Sequence, residues 1–350
     1  MEIGSSYSLT KLDKIHNFSM LSLAGEDASY FSLCREALYV LARKFKDSSK
    51  KVMIPAYTCQ TVLEPFLQQG WEIDYYNVNN RLRIDIEDIK AKTAVFKPSL
   101  CIAHPYYGAD LNQEELDALA EIKRCGCILI EDLTQCVFST QRNTIFDYFV
   151  GSYRKWFPIP DGAFLIGDVD GINEMPENET FVQTMSDAMY LRGTFFQSGD
   201  NNIKEISRRL GNIAIGHISG EIVPHSMSNF SISLLSEIDI EVLKRKRWDN
   251  YLYLYGHLQT NRTCMFIDRD PDELTCAPLF FPVYVKDRSA FQMKLAQQGI
   301  YAPILWPVHT DKVLINENIR QIFEEIIMLP IDQRYDRNDM ERMVAVINSF

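Results

Sequence analysis

Residues 128–135 read ILIEDLTQ: three apolar residues, two carboxylates, then a short turn-like stretch. A run this apolar, cut off by Glu131 and Asp132, reads as a strand buried on both faces. That is the mark of a parallel sheet covered by helices. Strand and helix signals alternate outward from it. Upstream, REALYVLARKF (35–45) is a helix with Ala37, Leu38, Leu41 and Ala42 on one stripe. KVMIPAY (51–57) is a strand, TVLEPFLQQG (61–70) a helix closed by Gly70, and WEIDYYNV (71–78) a strand. SLCIAHPYYG (99–108) is a strand and NQEELDALAEIKRCG (112–126) an amphipathic helix. Downstream, DYFVGSY (147–153) and GAFLIGD (162–168) are short strands around a loop. The pattern predicts an α/β domain with a mainly parallel sheet.

Further on, the section from Met189 to His257 reads as mostly helical, and EIDIEVLKRKRWDNYLYLYGHL (237–258) bridges into a second unit. There APLFFPVYV (277–285) gives a strand and DRSAFQMKLAQQG (287–299) a helix. IYAPILWPVH (300–309) gives a strand or extended segment, and RNDMERMVAVINSF (337–350) a terminal helix. The expected division is a large domain over 1–240 and a small α+β domain over 241–350. The first two dozen residues lack periodicity and are expected to wrap the surface or a partner subunit.

The chain has 350 residues and a net charge of −11, the wrong sign for a general nucleic-acid binder. The basic run Lys244–Arg247 reads as a solvated helix face. No stretch has transmembrane length and none has signal-peptide form, so a cytoplasmic location is expected. The eight cysteines form no CxxC pair and the histidines no i, i+4 pair. They read as buried thiols and scattered imidazoles, and no metal site is expected.

Three segments fall where ligands bind in open α/β sheets, beyond the carboxyl ends of strands. At the first, Asp132 either caps the following turn or meets a cationic partner such as a protonated pyridine nitrogen, the carboxylate's role in pyridoxal-phosphate (PLP) sites. The second is GSYRKWFPIPDGAF (151–164). Lys155 there is either a surface residue or an amine kept neutral by desolvation and by neighbouring Arg154, ready for Schiff-base formation. Ser152 could meet a phosphate, and Gly162 permits close backbone approach. The third is Ser32–Arg35 at a helix start, where free N–H groups either hold a phosphate or are capped by Ser32. His104 ends a strand and reads as a satisfied core histidine more readily than a pocket residue.

Taken in order, SLCREALYVL, IPAYTCQTVLEPF, AHPYYGAD, IEDLTQ, GSYRKWFPIPDGAF, MSNFSISLL, RKRWDNYLYL, IYAPILWPVH and MLPIDQRYDRNDMERMVAVI resemble the DegT/DnrJ/EryC1/StrS family of PLP-dependent sugar aminotransferases. The resemblance runs from about Phe31 to the C-terminus. It implies the fold-type I architecture: a large domain with a mainly parallel sheet between helices, and a small C-terminal α+β domain. It matches Lys155 to the Schiff-base lysine, Asp132 to the carboxylate on the pyridine nitrogen and Gln135 to the residue beside the cofactor's 3-hydroxyl. Ser152 matches a phosphate-contacting serine, and Cys34 and Arg35 the pair whose backbone N–H groups hold that phosphate. Asn229 matches an asparagine sent to the phosphate by a neighbouring subunit, which implies a homodimer with sites at the interface. Arg154, Arg192, Trp306 and His309 are candidate substrate residues.

The chain departs from the family at Leu33–Arg35, where small residues are usual, and at Cys59, where an aromatic usually stacks on the cofactor ring. There Tyr57 substitutes or the stacking is lost. Ser152 also lies three residues before Lys155, closer than in many members. The implied reaction moves an amino group from glutamate to a nucleotide-linked keto sugar, for surface polysaccharide or secondary-metabolite synthesis. Two alternatives are a sugar dehydratase, against which the presence of Lys155 speaks because such relatives carry histidine there, and a degenerate member that binds without catalysis.

Overall fold

The structure is a computed structural model that describes residues 2–9, 24–25, 27–169, 175–260, 264–267 and 269–350. Much of the N-terminal segment expected to wrap a surface lies outside them. The described part, residues 2–9, lies against its own chain: Ile3 bridges Ile300, and the Ser5 and Ser6 carbonyls accept from Arg334.

Seven strands form the main sheet: β1 (Ala28–Phe31), β2 (Lys51–Pro55), β3 (Glu72–Tyr76), β4 (Leu100–Ala103), β5 (Ile128–Asp132), β6 (Tyr148–Ser152) and β7 (Ala163–Ile166). Their spatial order is β1-β7-β6-β5-β4-β2-β3. Only β7 runs against the rest, pairing antiparallel with both β6 and β1. The crossovers are α1 (Cys34–Lys44), α2 (Gln60–Gln68), α3 (Ile86–Phe96) and α4 (Gln113–Arg124). Helix α3 is not legible from periodicity because its only buried side chains are Ile89 and Thr93. Its start is fixed instead by Asp85, which accepts from the Asp88 N–H.

Strand β5 shows how the sheet places chemistry. Side chains alternate between faces. Ile130 packs with Leu38, Leu41 and Val52 on the α1 side, and Leu129 with Leu119 and Ile122 on the α4 side. Asp132 therefore points toward α1 and Glu131 toward α4.

The helical section resolves into α5 (Glu179–Ser198), α6 (Asn201–His217), α7 (Asn229–Leu235) and α8 (Ile240–His257). A second, antiparallel sheet of order β10-β9-β8 comprises β8 (Cys264–Phe266), β9 (Phe280–Val285) and β10 (Ile326–Pro330). Helices α9 (Arg288–Gln297), α10 (Glu317–Glu325) and α11 (Arg337–Asn348) accompany it. The segment 300–309 is extended without joining a ladder, consistent with Pro303 and Pro307, which have no N–H to give. The strand of this region is β10 instead.

The basic run corrects one expectation. Arg245 and Lys246 are exposed, but Arg247 is fully buried. Its guanidinium donates to the Pro278 and Leu279 carbonyls, Gln333 and the Tyr7 hydroxyl, and lies 4.6 Å from the centre of the Trp156 ring. Arg247 falls on the buried stripe of the helix, four residues after Leu243 and four before Tyr251.

Candidate active site

Strand ends β4, β5 and β6 and the starts of α1 and α2 converge on one inner cavity. Cys34, Arg35, Cys59, His104, Asp132, Gln135, Lys155 and Trp306 all line it. The lysine and the carboxylate that the sequence singled out thus face one space.

Asp132 is 3% exposed. One carboxylate oxygen accepts from the Thr134 N–H at 2.9 Å, so the residue does cap its turn. The other lies 3.5 Å from His104 Nδ1, and His104 Nε2 is 2.7 Å from the Thr58 hydroxyl. Asp132 therefore closes the turn and also lines the cavity. Burial depresses the His104 pKa, and the Asp132 charge opposes this only in part. A neutral imidazole fixed between Thr58 and Asp132 orients the carboxylate without neutralising it. Sequence reading passed over His104 as a core residue. Its place at the end of β4, next to the strand carrying Asp132, was the available signal.

Lys155 ends a short 3-10 turn (Tyr153–Lys155) after β6. Its side chain is exposed into the cleft, which corrects the expectation of a desolvated amine. The loop around it is rigid. Trp156 is fully buried, its indole N–H donates to the Thr134 carbonyl at 2.8 Å, and its own carbonyl accepts from Tyr7 and Gln333. Gly162 closes the loop at φ +139°, donating to the Ser32 carbonyl and accepting from the Tyr153 N–H. A Cβ there would come within 2.8 Å of Met227. Asp161 binds the loop to α7 by accepting from the Ser228 N–H and from the Ser228 and Ser231 hydroxyls.

The start of α1 lacks a side-chain cap: its N-cap residue is Leu33, not Ser32. Its first N–H groups, on Cys34 and Arg35, have no acceptor within the helix. The Arg35 guanidinium is engaged by Glu64 at 3.2 Å, which leaves the backbone to meet an anion. Gln135 is buried with its side-chain oxygen unpartnered.

These features suit pyridoxal phosphate. They comprise a buried carboxylate for a ring nitrogen, an amine for an aldehyde, an unpartnered polar oxygen, and an uncapped helix start for a phosphate. The inner cavity alone measures about 30 Å³. A ring would therefore occupy its junction with the outer cleft, which Cys59, Gln135, Lys155 and Trp306 share. Among the described residues, Trp306 is the only large aromatic side chain lining the inner cavity. Tyr57 does not replace the missing stacking residue, because it is buried behind Trp306 with ring centroids 4.6 Å apart.

Other candidates fall elsewhere. Ser152 is buried at the end of β6, outside both linings. Asn229 is exposed at the start of α7, where its backbone and side-chain N–H groups donate to Glu177. His309 packs against Tyr75 and Phe323, outside both spaces. Arg154 and Arg192 line the outer cleft of about 590 Å³ together with Arg208, which the sequence did not single out.

No family model matches the sequence, and no curated protein matches it. Solved structures do match its shape. The aminotransferase PseC of Helicobacter pylori, involved in the biosynthesis of pseudoaminic acid, superposes with a TM-score of 0.67 at 14% identity, covering 100% of this chain and 99% of that one. A DegT DnrJ EryC1 StrS aminotransferase from Brucella abortus gives 0.60 at 15% identity, covering 92% and 85%. NtdA of Bacillus subtilis, solved with bound cofactor PMP, gives 0.64 at 14% identity, covering 91% and 72%. The likeness extends over nearly the whole chain, and with the order of the seven-stranded sheet it establishes that this protein has the fold-type I aminotransferase architecture.

Proposed function

We propose that the protein is a pyridoxal-phosphate-dependent aminotransferase that moves an amino group from glutamate to a keto sugar carried on a nucleotide. The observation that carries this reading is that Lys155 and Asp132 face the same cavity, beside the uncapped start of α1. Structural neighbours named as aminotransferases, and another solved with bound PMP, support it.

When bound, the cofactor supplies an aldehyde and a ring that acts as an electron sink. The protein's side chains do the rest. Asp132 holds a proton on the ring nitrogen, with His104 and Thr134 fixing its direction. The Cys34 and Arg35 N–H groups hold the phosphate. Gln135 takes the position beside the ring hydroxyl. With the cofactor bound, Lys155 Nζ would take the proton from the donor's Cα in the first half-reaction and would supply a proton to the acceptor carbon in the second. Trp306 covers the junction against water. The amino group leaves glutamate, which becomes a 2-oxo acid, and the ketone becomes a primary amine.

Exposed apolar side chains on α5, α6 and α7, among them Tyr190, Ile206, Ile213 and Phe230, support a homodimer in which Asn229 approaches the partner's site. No described helix is long and apolar enough to cross a membrane, in keeping with a cytoplasmic enzyme. We place the boundary between the large and small domains near residue 240, at the start of α8.

The test is spectroscopic. With added pyridoxal phosphate the protein should show a band at roughly 400–430 nm, and borohydride should fix the cofactor on Lys155. Glutamate should then bleach the band and yield the 2-oxo acid. No band, or fixation on another lysine, overturns the reading.

A further inference from the structure

Cys136 follows Gln135 in the turn after β5. Its Sγ, the Cys276 Sγ and a carboxyl oxygen of Asp110 all lie within 4.8 Å of one another. Asp110 comes from the loop after β4, and Cys276 from the segment that leads into β9. All three are buried: Cys136 completely, Cys276 to 5% exposure and Asp110 to 8%. They are far apart in sequence and form no CxxC motif, which hides them from local pattern. One Asp110 oxygen accepts from the Ser139 hydroxyl at 2.8 Å, whereas Oδ1 is buried with no hydrogen-bond partner. The nearby Thr275 hydroxyl donates instead to the Gly108 carbonyl. A buried carboxyl oxygen without a donor, beside two sulfurs, is a costly arrangement unless a cation completes it.

The surroundings suit a thiolate. The Gly108 N–H donates to Cys136 Sγ at 3.3 Å, the kind of outer hydrogen bond that steadies a metal-bound sulfur. Gly108 is pinned against the third segment: its carbonyl accepts from the Thr275 and Cys276 N–H groups, and at φ +89° a Cβ there would come within 2.7 Å of the Cys276 carbonyl oxygen. We propose that Asp110, Cys136 and Cys276 form a zinc site that staples the loop after β4, the turn carrying Gln135 and the approach to β9. Two thiolates and a carboxylate are a donor set for this borderline-soft ion. Tetrahedral zinc holds such donors roughly 3.5–3.8 Å apart, so the set closes by about 1 Å at most. The Cys136 thiol donates to the Pro105 carbonyl at 3.4 Å, and zinc in place of that proton meets the same oxygen as its fourth donor. Binding releases the two thiol protons to solvent. The filled site then carries a single negative charge, the same as an ionised Asp110 beside two thiols. The field that Asp110 shares with Arg142, Arg83 and Glu131 is therefore kept. The site does not depend on transamination.

The experiment uses the full chain with its cofactor, produced in zinc-supplemented medium and purified under reducing conditions. Elemental analysis after gel filtration should recover zinc in equimolar amount. Zinc-edge X-ray absorption should find sulfur neighbours at about 2.3 Å. Cys136→Ser and Cys276→Ser should each weaken zinc binding by about a hundredfold or more, since even an outer partner is worth about 10–100-fold. Asp110→Asn should weaken it by about tenfold or more. Cys125→Ser removes an exposed thiol outside the site and should leave zinc binding unchanged. The absorption measurement needs only the wild type, so it decides even if a buried variant fails to fold. Zinc well below equimolar, or surrounded by nitrogen and oxygen alone, overturns the proposal. Unchanged zinc affinity in both cysteine variants overturns it as well. So does a wild-type mass two hydrogens below the expected value that Cys136→Ser restores, because the two thiols would then be a disulfide.

Discussion

On the floor of the site, at the end of β5, Asp132 is 3% exposed and has Thr134 and His104 for neighbours. On its wall, along α5 and α6, Arg192 and Arg208 face a cleft with no acid opposite them. One charge is buried and held by its own chain; of the other two, Arg192 is half-buried within the field of Glu2 and Arg208 is exposed. The floor is built on strand ends, whose positions the ladder fixes, and it is organised before anything binds. The wall is built on two helices outside the sheet. Chemistry that must be identical in every turnover belongs on the first, and recognition of a particular substrate belongs on the second.

If this division is right, floor substitutions abolish chemistry and spare the fold. Lys155→Ala should show the largest effect, a fall in transamination rate on the order of 10⁴-fold, because it removes the group that moves the proton. The urea unfolding midpoint should stay close to the wild type's in the same variant, because Lys155 is exposed. A comparable loss of both would mean that Lys155 holds the fold and does not move the proton. Asp132→Asn comes next. It keeps the volume and the cap to Thr134 but loses the charge, and should cost about 10²–10³-fold in turnover. The cofactor band of this variant should become more sensitive to pH. A variant with wild-type turnover would show that the ring nitrogen does not face Asp132.

The floor was legible in the sequence and the wall only in part, through Arg192, and the reason is physical. A buried strand that ends in carboxylates is an anomaly against its apolar run, so ILIEDLTQ stands out, and the lysine loop stands out for its aromatic and proline flanks. Arg208 has no such contrast, because an arginine on an amphipathic helix looks like any solvated one. His104 was hidden for a related reason: only the pairing of β4 with β5 brings it to Asp132. The aromatic ring beside the cavity was sought at Tyr57 or taken as lost, whereas Trp306, singled out only as a candidate substrate residue, lines the inner cavity from a distant segment.

The basic run of α8 sharpens the point beneath the floor. Arg247 and Lys246 are adjacent in sequence, yet Arg247 is wholly buried and holds Trp156, the neighbour of Lys155. Arg247→Ala strands two carbonyls, Gln333 and the Tyr7 hydroxyl, and should destabilise the fold by about 3 kcal/mol or more. Lys246→Ala should change it by less than about 0.5 kcal/mol. Denaturant unfolding of the two variants decides this. Equal effects would mean that α8 does not anchor the lysine loop.

The smallest expected effect comes from the other face of β5. Glu131 is 5% exposed, points toward α4, and has its pKa pushed up to about 8, by burial first and then by Asp110, with Arg142 opposing. Its pKa in the unfolded chain is about 4.3. A carboxyl whose pKa is raised by folding stabilises the native state most when protonated, and that contribution drains away as pH rises from about 4.3 toward 8. Glu131→Gln keeps the shape and has no charge to bury. Its unfolding free energy should match the wild type near pH 4 and exceed it by about 1–3 kcal/mol at pH 8.5. Urea titrations at both pH values measure the difference. A variant less stable at pH 8.5 would mean that Arg142 compensates the ionised Glu131, so that both faces of the strand carry settled charges. The expected sign means that β5 tolerates a costly carboxylate on one face while it uses the one on the other. The floor's order then comes from the register of the sheet and not from favourable electrostatics along the strand.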